Sequence, residues 1–226
     1  MSWESVAKDW IAWARDPGDA YWEFRQVFFE LVPEPGGRTL EIGSGEGRVS
    51  RDLSARGHGV VGLEPSQTLR RAALEMDPEG DYVEGSAESL PFADESFDLV
   101  VAYNSLMDVD DMPQAVREAA RVLVPGGRLC TCVTHPFTDV GRFESRADDA
   151  LFVVPGSALE PGRFDETFER HGLRMRFTGR TYPLGHYFAA LEQVGLLVEA
   201  VREPASAGGR WSRVPNFLMW RAVKGA

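Results

Sequence analysis

The sequence predicts an α/β fold in which a mostly parallel sheet carries helices on both faces. Three observations point to it. Residues 39–42 form a short strand-like run that ends in the glycine-rich turn Gly43-Ser44-Gly45-Glu46-Gly47, and a helical pattern opens directly after it. Residues 59–65 repeat the theme: a short apolar run ends in Glu64-Pro65, and Ser66 follows as an N-cap. Residues 96–102 are a near-continuous apolar stretch of the kind buried on both faces of a parallel sheet.

Composition limits the function classes. A chain of 226 residues fits one α/β domain with additions, and 43% hydrophobic content is enough for a buried sheet core. The net charge of −11 and the lack of a basic cluster argue against a nucleic-acid partner, because phosphate binding draws on clustered Lys and Arg. No apolar window is long enough for a membrane span, and the first residues carry Glu4, Asp9 and Asp16 rather than a basic-then-apolar leader. The expected location is the cytoplasm, with no membrane partner. Cys130 and Cys132 alternate along one predicted strand, so they face the same side and suit buried free thiols rather than a disulfide or a metal site.

Two aromatic stripes precede the glycine turn. Trp3, Val6, Trp10 and Trp13 recur at helical spacing, and after the Asp16-Pro17-Gly18 break Tyr21, Phe24, Phe28 and Leu31 repeat it. Helix packing accounts for most of these side chains. At the turn, Gly43 and Gly45 let the backbone bend tightly and approach a ligand, while the new helix points free N–H groups at it. Val49 and Leu53 lie on one face of that helix, and Gly57 is its expected left-handed terminator. A dinucleotide fingerprint would place its third glycine at Arg48, but here it comes one residue early, at Gly47. That spacing tilts away from NAD. Glu64, at the end of the second strand, is placed to accept hydrogen bonds from two ribose hydroxyls, a geometry that alone does not separate cofactors. Asn104, just past the 96–102 strand, lies at the ligand-binding edge as a cofactor or substrate contact, or only shapes a turn. Asp111-Met112-Pro113 opens a helix, and Pro125-Gly126-Gly127 ends it before a strand from Arg128 to Thr134.

Taken in order, the run Glu41-x-Gly43-x-Gly45-x-Gly47, Glu64, the 85–92 stretch Gly-Ser-Ala-Glu-Ser-Leu-Pro-Phe, the 96–102 strand and Leu123-x-Pro125-Gly126-Gly127 resemble the landmarks of the class I S-adenosylmethionine (SAM)-dependent methyltransferases. The resemblance is firm over residues 37–134 and looser over 180–223. It implies a Rossmann-like, seven-stranded sheet whose last strand is antiparallel. It also implies SAM as cofactor and S-adenosylhomocysteine as product. By the resemblance, Glu41 lies near the methionine amino group, and Gly43, Ser44 and Gly45 face the methionine and ribose portion. Glu64 and Pro65 take the ribose. Ser86, Ala87 and Glu88 take the adenine, although the family usually has aspartate at the Ser86 position. It further implies that the N-terminal helices cover the cofactor, with Trp10, Trp13, Tyr21 and Trp22 as lid candidates.

The expected organisation is one domain: a helical cover over 1–35, a cofactor core over 37–134, a substrate-cover insertion over 136–182, and a C-terminal helix and strands over 183–226. Within the insertion, residues 163–168 and 173–177 alternate in strand fashion around His171-Gly172, which reads as a hairpin. Residues 184–194 read as a helix closed by Gly195, and 214–223 as the last strand. The expected function is methyl transfer from SAM to an oxygen or nitrogen of a small molecule. An NAD-linked reductase and a SAM-binding scaffold without turnover are the rivals. Should the reaction use a general base, His135 at the end of the fifth strand is the first candidate, His186 the second, and an acid such as Asp108 the third. Arg142, Arg163, Arg174 and Arg176 would serve a negatively charged acceptor.

Overall fold

The computed structural model describes residues 3–225. A 3-10 turn, Trp3–Val6, leads into helix α1 (Ala7–Arg15) and then α2 (Ala20–Phe29). Asp19 caps α2 by accepting from the Tyr21 N–H at 3.0 Å. The core then alternates: β1 (Arg38–Ile42), α3 (Arg48–Ser54), β2 (Gly59–Leu63), α4 (Gln67–Met76), β3 (Asp81–Val83), β4 (Phe97–Tyr103), α5 (Met112–Val122) and β5 (Leu123–Thr134). Ser66 caps α4 and Gly57, at φ +93°, follows α3, both as expected. Next come the short α6 (Pro136–Asp139), the two-residue strands β6 (Arg142–Phe143) and β7 (Phe152–Val153), and the hairpin β8 (Gly162–Arg170) with β9 (Leu173–Thr181). Helix α7 (Leu184–Gln193), β10 (Leu196–Arg202) and β11 (Phe217–Lys224) close the chain.

Seven strands form one sheet in the order β10-β11-β5-β4-β1-β2-β3, parallel except where β11 runs against both neighbours. This is the expected Rossmann-like architecture with an antiparallel last strand. Alternation along β4 explains why its sequence is apolar throughout. Val100 and Ala102 pack into one layer with Ala115, Val116 and Leu191 from α5 and α7. Leu99, Val101 and Tyr103 pack into the opposite layer with Phe24 and Phe28 of α2 and Val49 and Leu53 of α3. Cys130 and Cys132 are free and buried in that second layer.

Three boundaries differ from expectation. Pro125-Gly126-Gly127 is not a separator before the strand; β5 starts at Leu123 and carries these residues as a bulge, with the register against β4 jumping between Phe97 and Leu99 and Gly126 at φ +77°. The last strand begins at Phe217 rather than Val214 because Pro215 has no N–H to give a ladder. The 163–177 hairpin is longer than its alternating core. Its two-residue turn has His171 at φ +49° and Gly172 at φ +80°, the conformation that matches strand twist.

Candidate active site

A cavity of about 850 Å³ opens at the carboxyl edge of the sheet, over the ends of β1, β2 and β4. Its inner wall is the turn between β1 and α3. Gly43, Gly45 and Gly47 all have positive φ, at +73°, +57° and +83°. At Gly43 a side chain is also excluded by space, since a Cβ would stand 2.6 Å from the Ser105 Cβ. The turn is tied to β2. Gly43 and Ser44 N–H donate to the Leu63 carbonyl at 2.8 and 3.0 Å, and Gly45 N–H donates to Glu64 Oε2 at 3.0 Å. Glu64 Oε1 accepts from Ser66 N–H at 2.9 Å, so this carboxylate holds the turn and the start of α4 together.

Six carboxylates line the cavity without an ion-pair partner among the described residues, and four of them, Glu41, Glu64, Asp108 and Asp139, have raised pKa values. Burial is the main reason that each pKa is raised. Glu41, 1% exposed, is pushed up to about 8, with Glu46 and Glu64 adding repulsion and the hydrogen bond donated by Ser50 Oγ working the other way. Glu64 is raised by burial, opposed by its two backbone N–H donors. Asp108 is pushed up to about 8 by burial and by the charge of Glu64, against a hydrogen bond from the Trp3 side chain. Asp139 reaches about 6, with Thr134 Oγ1 donating to it at 3.0 Å. Ser44 Oγ is buried and has no hydrogen-bond partner among the described residues. An uncompensated acidic lining and an unused hydroxyl fit a ligand that brings an ammonium, a sulfonium and ribose hydroxyls.

The cover comes from two directions. Trp3 and Trp10 line the cavity, with the Trp10 indole nitrogen 3.4 Å from where a Gly45 Cβ would be. The N-terminal segment is fastened over the site by Glu4, which accepts from the hydroxyls of Ser66 and Thr68 and from the Thr68 N–H. From the other side the β8–β9 hairpin presents Phe164, Glu166 and Phe168, alternate residues of one strand, together with Phe177. Arg170 latches this hairpin to the α1–α2 turn by donating to the Gly18 and Trp13 carbonyls at 2.9 and 2.8 Å and pairing with Asp16 at 3.1 Å. Beyond Asp139, the outer chamber adds Arg142, Phe143, Arg146, Arg210 and Trp211.

Every cofactor-contact residue expected from the sequence lines this cavity: Glu41, Gly43, Ser44, Gly45, Glu64, Pro65, Ser86, Ala87, Glu88 and Asn104. Two are constrained in ways the sequence did not show. Ser86 Oγ donates to Glu88, and Asn104 adopts φ +51° with its N–H on the Cys132 carbonyl at 2.8 Å. The histidines are a correction. Neither His135 nor His186 is in the cavity lining. His135 caps α6: its Nδ1 accepts from the Phe137 N–H at 3.1 Å, which leaves Nε2 to donate to Glu203 Oε1 at 2.9 Å. Both ring nitrogens are therefore committed. His186 is exposed on the first turn of α7.

Of the four lid candidates only Trp10 lines the cavity. Trp13 packs between Phe177 and Arg170, Tyr21 donates to Asp52 at 2.6 Å and meets Tyr103 edge-on, and Trp22 is 39% exposed. Of the four arginines only Arg142 reaches the site; Arg176 pairs with Asp165, and Arg163 and Arg174 are exposed on the hairpin. Asp139, Arg146, Arg210 and Trp211 were not foreseen. Asp139 lies five residues beyond Thr134, and its position past the edge of β5 was the available signal.

Residues 40–131 match the methyltransferase domain family. Demethylmenaquinone methyltransferase of Renibacterium salmoninarum is 36% identical over 103 residues, which cover 45% of this chain and 44% of that protein. The ubiquinone/menaquinone biosynthesis C-methyltransferase of a Ruegeria species is 39% identical over 107 residues, 44% of this chain and 43% of that protein. The chain thus spans under half the length of these curated relatives. The crystal structure of an S-adenosylmethionine-dependent methyltransferase from Mesorhizobium loti superposes with a TM-score of 0.74 at 22% identity, covering 92% of this chain and 99% of that one. Sheet order, glycine turn and strand-end acids together define a Rossmann-like cofactor domain. The match over residues 40–131 makes the core of the chain a methyltransferase domain, and its fold is that of an S-adenosylmethionine-dependent methyltransferase.

Proposed function

We propose that this protein transfers a methyl group from SAM to a small molecule held in the outer half of the same cavity. The observation that carries the reading is continuity: one cavity joins the glycine turn and its acids to a chamber walled by Phe143, Phe164, Phe168 and Trp211. When bound, SAM supplies a methyl carbon on a positively charged sulfur, and an acceptor electron pair displaces it in line, releasing S-adenosylhomocysteine. The chain's own contribution is alignment, removal of water and reception of the acceptor's proton.

Asp108 is the residue we assign to that proton. It lines the cavity close enough to feel the charges of both Glu64 and Asp139, and its carboxylate, pushed up to about 8 in the free protein, takes a proton once the cofactor's positive charge favours its ionised form. Asp139 is its nearest rival, lining the same cavity with a smaller shift. An oxygen or nitrogen acceptor is our first reading, because an O–H or N–H can hydrogen-bond directly to such an acid. The Ruegeria relative is named a C-methyltransferase, which favours a carbon beside an ionised hydroxyl as the second. Asp108 serves either.

Incubation with isotopically labelled SAM and a metabolite extract, followed by mass analysis, should reveal a labelled small molecule. A protein that binds SAM but never yields one would be a scaffold. With that product in hand, Asp108→Asn should lower kcat by roughly 10²- to 10⁴-fold and leave S-adenosylhomocysteine affinity within about threefold. His135→Ala should leave kcat within about threefold and lower the melting temperature by a few degrees, about the effect of a lost helix cap. Reversal of these two outcomes would return the base to the histidine.

A further inference from the structure

The two ends of the cavity are charged in opposite senses. The inner end holds unpaired carboxylates; the outer mouth holds Arg142, Arg146 and Arg210, and none of the three forms an ion pair among the described residues. Several arginines that carry structure elsewhere have carboxylate partners, as Arg48 has Asp19, Arg121 has Glu118 and Arg170 has Asp16. Arg210 is held in place without being neutralised. Its Nη1 donates to the Arg146 carbonyl at 2.7 Å, its guanidinium lies 5.6 Å from the Phe143 ring centre, and its Nε is buried with no partner. A buried N–H donor left unmatched is costly unless a ligand supplies the acceptor. The lining also holds flat rings: Phe143 and Trp211 meet edge to face at 5.0 Å, and the Phe164 ring and Asp108 Oδ1 stand 2.6 and 3.1 Å from where a Gly179 Cβ would be. Glu166 lines the cavity from an exposed position on the hairpin, and Asp148 Oδ1 stands 3.3 Å from where a Gly209 Cβ would be, without pairing with Arg210.

Resting on the methyl-transfer reading, we infer that the acceptor is a planar aromatic or conjugated molecule that carries a carboxylate or a phosphate. Arg142, Arg146 and Arg210 hold the anion by charge-assisted hydrogen bonds, the rings clamp the flat body, and the nucleophilic atom faces Asp108. A neutral or cationic analogue of the same shape would leave the arginines unmatched. The arginines act on selectivity and not on the cofactor.

Calorimetry on the full chain saturated with S-adenosylhomocysteine tests this with three probes: 4-hydroxybenzoate, phenyl phosphate and the neutral 4-hydroxybenzamide. At least one anion should bind roughly tenfold or more tightly than the amide, and the better of the two identifies the anionic group. In Arg142→Gln/Arg210→Gln that preference should vanish while S-adenosylhomocysteine affinity stays within about twofold. Equal binding of amide and anions, an unchanged preference in the double variant, or no binding of any probe to the loaded protein would each overturn the inference. If the double variant fails to fold, the wild-type comparison and Arg146→Gln, which should weaken the preferred anion by about threefold or more, carry the same decision. Loss of S-adenosylhomocysteine binding alongside arginine-dependent capture of 4-hydroxybenzoate would refute the cofactor assignment and leave the anion site standing.

Discussion

The inner and outer halves of the cavity are built by different rules. The inner half takes Glu41, Gly43, Gly45 and Glu64 from the ends of two adjacent strands and the turn that follows the first, a short stretch of chain. Its demands fall on the backbone: positive φ at the glycines, no room for a Cβ at Gly43, and N–H groups aimed at one carboxylate. The outer half gathers Arg142, Phe143, Phe164, Phe168, Arg210 and Trp211 from segments far apart in sequence. Its demands fall on side chains alone. The lesson is that a backbone-defined half tolerates almost no substitution, whereas a side-chain-defined half is free to change its ligand while the fold and cofactor stay the same.

The sharpest way to break that division is Gly43→Ala. A left-handed non-glycine costs about 1–3 kcal/mol, and a contact at 2.6 Å with Ser105 adds overpacking of similar size. S-adenosylhomocysteine affinity should fall by on the order of 100-fold or more, while 4-hydroxybenzoate binding to the cofactor-free variant stays within about threefold of the cofactor-free wild type. Equal losses at both halves would show that they are one coupled site. A smaller effect is expected from Glu64→Ala, which removes an acceptor for the ribose hydroxyls and frees the Gly45 and Ser66 N–H groups. Cofactor binding should weaken by about 1.5–3 kcal/mol, the range for hydrogen bonds to a charged group. Unchanged affinity in a folded Glu64→Ala would remove Glu64 from the ribose.

This division also explains what the sequence disclosed. Glycine spacing, strand-end acids and the apolar β4 run are local and periodic, so the core, the sheet class and the residues that line the inner half of the cavity are legible. The hairpin was legible too, because His171-Gly172 is a turn signal between alternating runs. The bases were not. His135 attracts attention as an imidazole placed after β5, but the cap it gives α6 and its bond to Glu203 depend on a chain reversal that no spacing announces. Asp139 and Arg210 matter through contacts made only when residues 136–146 and 210–211 fold over the sheet edge.

The most direct test of the central claim, that buried uncompensated acids hold a cationic cofactor, is the pH dependence of S-adenosylhomocysteine binding. Glu41, raised to about 8 by burial and by Glu46 and Glu64, is largely protonated in the free protein near neutrality, and Asp108 behaves alike. The ligand's ammonium favours the ionised carboxylate, so the complex holds fewer protons than the free protein. Affinity must then rise as pH increases from about 6 to about 8 and level off above. Calorimetry in two buffers of different ionisation enthalpy at pH 7 should record proton release on binding, with NAD giving no heat. Binding that is flat or falls over this range, or heat from NAD with none from S-adenosylhomocysteine, would contradict it.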